Sequence, residues 1–97
     1  MAATTAPPGY IDDKDELVRR LRRIGGQVGG LERMVEKERH CIDILTQVSA
    51  VRAALDGVAI ALLDDHARHC VLEAEAGNRE ARTTEMMEAV SRLIKSR

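Results

Sequence analysis

The chain has no Phe, no Trp and a single Tyr among its 97 residues. Any core must therefore be built from Leu, Ile, Val, Met and Ala. A chain this small, without aromatic bulk or a short-range cysteine pair, buries little surface alone. Oligomerisation is the expected remedy. Charge of one sign is also missing: the formal net charge is −1, so no global field draws the chain to nucleic acid. The segment Met1–Gly9 has no apolar centre, so no secretory leader is expected. No run is read as approaching the roughly 18 apolar residues of a transmembrane helix, and no membrane span is expected. A cytoplasmic location follows, where thiols stay reduced. The two cysteines then read as ligands or redox sensors rather than a structural bridge. No nucleophile, base and orienting group form a recognisable set, and the chain is too short for a deep cleft, so an enzyme is not expected.

What is present is helical periodicity. Residues 1–11 read as a disordered tail and 12–97 as one domain. Asp12 or Asp13 can cap a first helix, with Asp15 and Glu16 at its positive end. Leu17, Leu21, Ile24, Val28, Leu31 and Val35 then recur at alternating steps of four and three, the rhythm of a packing seam. Gly25, Gly26, Gly29 and Gly30 lie inside this segment, at a cost of about 1 kcal/mol each relative to Ala. The unbroken seam nonetheless predicts one helix, ending near 37–39. A second helix is predicted from about 40–42 past Cys70, with Ile44, Val48, Val51, Leu55, Val58 and Leu62 on its stripe. Gly77-Asn78 reads as a stop, followed by a shorter third helix over about 79–95 carrying Met86, Met87, Val90, Leu93 and Ile94. No segment alternates as a strand would. The expected fold is all-α: a three-helix protomer whose two long helices form a hairpin. Two hairpins would make an antiparallel four-helix bundle.

Cys41, His66 and Cys70 carry the chemistry. His66 and Cys70 are four apart and share a helix face. Cys41 lies 25 positions before His66, roughly 37 Å along a helix axis at about 1.5 Å per residue. One ion cannot touch all three within one straight helix. A second copy running antiparallel would set Cys41 of one subunit beside His66 and Cys70 of the other. Two thiolates and one imidazole are a soft, three-coordinate set. Zinc normally takes four ligands, whereas soft sulfur favours Cu(I). Nickel or cobalt would call for more nitrogen and oxygen, and the N-terminal tail has no His to offer. The alternative remains open that the cysteines are small core residues and His66 is simply hydrogen-bonded. His40 and His69 flank the cysteines as hydrogen-bond partners or alternative ligands, and Glu85 or Glu88 could support a ligating His.

Arg19, Arg20, Arg22 and Arg23 place four cations in five positions. Such a patch suits phosphate contact, or else it is a solvated face balanced by Asp15, Glu16, Glu32 and Glu36.

Three segments together resemble the copper-sensitive operon repressor family. They are Arg-Leu-Arg-Arg-Ile-Gly-Gly-Gln-Val-Gly-Gly-Leu-Glu-Arg-Met at 20–34, Cys-Ile-Asp-Ile-Leu-Thr-Gln-Val-Ser-Ala-Val at 41–51, and Leu-Leu-Asp-Asp-His-Ala-Arg-His-Cys at 62–70. The resemblance spans about residues 12–95. It implies an all-helical dimer of dimers without a helix-turn-helix, whose apo tetramer binds operator DNA and whose Cu(I) form releases it. It assigns Cys41 of one subunit and His66 and Cys70 of another as ligands, with Glu85 supporting them from the third helix. His40 stands where copper-sensing relatives carry Tyr. Arg20 matches a DNA-contacting position. On the second helix Arg52 is the only basic residue between Cys41 and His66, and Gly57 occupies a position that can be basic. A persulfide- or thiol-sensing repressor of the same fold, and a copper store without a DNA role, are the competing readings.

Overall fold

A computed structural model describes residues 8–96. The expected tail falls largely outside this range. Its end, Pro8 to Ile11, enters a short 3-10 turn over Ile11–Asp13, where the Ile11 N–H donates to the Pro8 carbonyl at 3.2 Å.

Helix α1 is Lys14–Glu36, α2 is Cys41–His66 and α3 is Ala76–Lys95. Between α2 and α3 the chain continues as a π-helical segment, Ala67–Leu72. Among the described residues there is no strand. The protomer has the expected all-α, three-helix fold.

Two compact units divide the chain near residue 60. One holds α1 and the first twenty residues of α2. Asp13 occupies the N-cap of α1 without a side-chain cap hydrogen bond, and Asp15 and Glu16 sit in the positive first turn. The four glycines leave α1 unbroken. Its end is defined by two backbone bonds, Arg39 N–H to Met34 O and Glu38 N–H to Val35 O, each 3.0 Å. These are the paired bonds of a Schellman motif. The motif needs a left-handed residue, and Glu38 takes it at φ 56°. A residue with a Cβ is disfavoured there by about 1–2 kcal/mol.

The seam of α1 splits into two rows in the protomer. Leu17 and Ile24, seven apart, are buried, as are Val51 and Val58, also seven apart, on α2. Full burial of such side chains contributes about 1.5–3 kcal/mol each. The second row, Leu21, Val28 and Val35, stays exposed, with Val35 at 61%. The Arg20 guanidinium lies against Gly57. Both residues are equally far from the connection between the helices, so α1 and α2 run antiparallel.

The other unit holds the end of α2, the π-helical segment and α3. Val71 is buried, and α3 packs on the π-helical segment. Arg79 reaches back to the carbonyls of Leu72 and Ala74 at 3.5 and 3.4 Å. The Gly77-Asn78 stop is corrected here: both residues lie inside the first turn of α3. The break comes earlier, where Glu75 is extended at φ −61°, ψ 150° and its carbonyl accepts from the N–H groups of Asn78 and Arg79. Gly77 has no positive φ, so it carries no turn.

The apolar length of α2 exceeds the expectation from sequence. The helical run Cys41–Leu72 is long and apolar enough, by length and composition alone, to cross a membrane. Between Asp43 and Asp64 only Arg52 and Asp56 are charged. Ile42, Leu45, Leu55 and Ile60 on this run are exposed in the protomer.

Candidate metal centre

Cys41 is the first residue of α2 and His66 the last. The His40 carbonyl accepts from the Ile44 N–H at 3.2 Å, closing the first turn around Cys41. Helix α2 runs for 26 residues between these two candidate ligands.

After His66 the bonding widens from i→i+4 to i→i+5. Such π segments occur often at functional sites. Nothing in the sequence signals the change. It makes Cys70 part of a wider turn that begins beside His66, so the two remain neighbours on one face. Both are half-buried. Cys41 is exposed, and neither cysteine is in a disulfide.

The face around Cys70 is closely covered within its own unit. A Cβ built on Gly9 would fall 2.8 Å from the Asp65 carbonyl oxygen and 3.1 Å from the Cys70 sulfur. Gly9 therefore lies directly on this turn, at a separation that leaves no room for a side chain. Asp65, beside His66, is 7% exposed.

The flanking groups are placed as follows. His69 Nδ1 stands 3.4 Å from Glu73 Oε1, one turn along its own helix, so its ring is directed to that carboxylate. His40 is exposed. Glu85 is 3.7 Å from Arg82 on α3. Among the described residues no three His, Cys, Asp or Glu side chains are gathered as a metal site within one protomer.

The basic residues lie in the first unit. Arg19 pairs with Glu16 at 3.3 Å, with both side chains more than half exposed. A pair of this kind contributes little, about 0.2–1 kcal/mol, and leaves Arg19 available to other anions. Arg22, Arg23 and Arg52 are exposed, and Arg20 is half-buried beside Gly57. The contact between Arg20 and Gly57 was not legible in the sequence, which carries no signal for which α1 residue faces position 57.

The chain as a whole has known relatives. Residues 13–96 match the model of a family described as metal-sensitive transcriptional repressors. The chain belongs to this family. It is therefore a metal-sensing transcriptional repressor by descent. The copper-sensing transcriptional repressor RicR of Mycobacterium tuberculosis is 46% identical over 95 residues, covering 95% of this chain and 99% of that protein. The crystal structure of the copper-sensing repressor CsoR with Cu(I) from Geobacillus thermodenitrificans superposes with a TM-score of 0.81 at 39% identity, covering 97% of this chain and 93% of that one. A single-residue variant of the formaldehyde-responsive regulator FrmR from Salmonella enterica shares the fold with a TM-score of 0.75 at 31% identity, covering 91% of this chain and 97% of that one. The copper-sensitive operon repressor resemblance read from residues 20–34, 41–51 and 62–70 is thereby established, while solved relatives named as formaldehyde-responsive and nickel-responsive answer different signals.

Proposed function

We propose that this chain is a cytoplasmic Cu(I)-responsive repressor. Its apo homotetramer, a dimer of dimers built from residues 12–97, binds operator DNA, and Cu(I) releases it. The observation that carries this reading is the donor set. Two thiols free of any disulfide and one imidazole lie on a single helical run, Cys41 at its start and His66 with Cys70 in one turn at its far end. Soft sulfur donors with one nitrogen suit Cu(I). Cys41 of one subunit with His66 and Cys70 of the partner subunit would hold the ion. The exposed row Leu21, Val28 and Val35, together with the exposed apolar residues of α2, supports an antiparallel partner that covers them. The same need for a partner accounts for an α2 apolar enough to cross a membrane in a cytoplasmic protein. A dimer places two such sites at opposite ends of its bundle.

The protein's own residues do the remaining work. The thiols of Cys41 and Cys70 would give up their protons to hold the metal as thiolates. His66 would offer one ring nitrogen to the ion and the other to a hydrogen-bonding neighbour, with Glu85 and His40 the proposed supports. Glu85 would give up its contact with Arg82 to serve there. The cluster Arg19, Arg20, Arg22 and Arg23, with Arg52 of α2, contacts operator phosphates, repeated four times in the tetramer. The repetition gives DNA affinity to a nearly neutral chain.

To turn an operator from about 99% occupied to about 99% free, Cu(I) must favour the released state by about 5.5 kcal/mol. By linkage, operator DNA weakens Cu(I) binding by the same factor. An anaerobic Cu(I) titration with and without operator is expected to show this reciprocal weakening. Equal Cu(I) affinity in both arms would sink the release mechanism. The exposed, free thiol of Cys41 also favours a sulfur-sensing repressor. A chain that binds no Cu(I) but gains sulfur mass after persulfide treatment would establish that alternative.

A further inference from the structure

Gly57 sits in the middle of α2, where a helix disfavours glycine relative to alanine. Its φ is not positive, so no backbone conformation calls for glycine. Its lack of a side chain instead makes room. A Cβ built at position 57 would stand 2.8 Å from Nη2 of Arg20, closer than carbon and nitrogen can approach without movement. Of the seven glycines in the chain, only Gly9 and Gly57 are so tightly approached. At Gly57 the neighbour is the end of a cationic side chain.

We propose that Gly57 is a positioning residue for operator binding: its bare Cα is the seat on which the Arg20 guanidinium rests, and that seat fixes where the cation meets phosphate. This rests on the reading that Arg20 contacts DNA. Arg20 is half-buried, unlike its exposed neighbours Arg19, Arg22 and Arg23. The end of the Arg20 side chain therefore takes up the space that a Cβ at position 57 would need. The side chain is flexible, so a larger residue at 57 displaces the guanidinium without breaking the hairpin. The proposed loss is therefore of orientation and not of fold. An arginine held in place surrenders less rotamer freedom on binding than one swinging in solvent.

The test is Gly57→Ala, measured alone and in an Arg20→Ala background, by operator affinity across a salt series. Alanine favours helix over glycine, so the thermal midpoint of Gly57→Ala is expected to be equal to or above that of the parent. Its operator affinity is expected to fall about tenfold, the scale of one charged hydrogen bond. Its salt slope should fall by about 1 for each phosphate that the guanidinium no longer engages. In the Arg20→Ala background the same substitution should change nothing further. Cu(I) affinity should not move. Wild-type operator binding by Gly57→Ala, beside a weakened Arg20→Ala, would overturn the seat and leave the Arg20 contact standing. An equal fall in both backgrounds would show that Gly57 acts through something other than Arg20. Wild-type binding by Arg20→Ala would remove the DNA contact itself, and the seat with it.

Discussion

Cys41→Ala is expected to lower Cu(I) affinity by more than about 100-fold. Loss of a residue that merely supports a ligand already costs about 10–100-fold, and a directly bonded sulfur contributes more. The same variant should fold normally. Cys41 is exposed at the first position of α2 and is bonded to nothing that α2 needs to begin. Substitutions at such surface sites usually fall within about 0.5 kcal/mol. Operator binding by the apo variant should therefore be retained, giving a repressor that no longer responds to copper. Competition against a chelator of known Cu(I) affinity measures the first effect and an anaerobic gel shift the second. Retained tight Cu(I) binding would take Cys41 out of the site.

Arg20→Ala is expected to produce the complementary phenotype. Each protomer loses one cation from the α1 patch, and a tetramer loses it at every copy that touches DNA. At about 1.5–3 kcal/mol for each charged hydrogen bond, operator affinity should fall at least tenfold. The dependence of affinity on salt should flatten as fewer counterions are released. Cu(I) affinity should stay at the parental value, because Arg20 lies on α1 and none of the proposed ligands does. Fluorescence anisotropy with labelled operator at several salt concentrations measures both quantities. Unchanged affinity would direct attention to another surface.

The helices were legible because their apolar steps of four and three are a direct image of helical geometry. Leu17 and Ile24 on α1 and Val51 and Val58 on α2 form the buried rows that this rhythm predicts. What the rhythm cannot specify is which row faces inward. Leu21 and Val28 belong to the same seam yet remain exposed in the protomer, since the seam serves two neighbours. Glu38 gives no sequence signal, because its left-handed conformation goes with the two Schellman bonds and not with its own preference. Gly77 is ambiguous for the opposite reason. Glycine is permissive, and a helix N-terminus accepts it as readily as a turn does. Arg52 and Asp56 interrupt the apolar run of α2, yet two charges scarcely lower the apolar character of so long a helix.

The candidate site was legible as a set of residue types and spacings. Cys41, His66 and Cys70 stand at the two ends of one helical run, as the sequence predicts. The π-helical turn beneath Cys70 and the close approach of Gly9 to its sulfur were not legible. Both sit among tertiary contacts that spacing does not encode: α3 lies against Ala67–Leu72, and Gly9 approaches Asp65 and Cys70.

The central claim, that two subunits share each metal site, is tested most directly by mixing defective chains. Cys41→Ala and Cys70→Ala subunits, carrying different affinity tags, are co-expressed and the mixed dimer is isolated. Each parental homodimer should bind Cu(I) poorly. The mixed dimer should recover one of its two sites at wild-type affinity, because Cys41 of the Cys70→Ala chain meets intact His66 and Cys70 of the partner subunit. A mixed dimer as inert as both parents, beside a wild-type dimer that takes up Cu(I), would contradict the shared site.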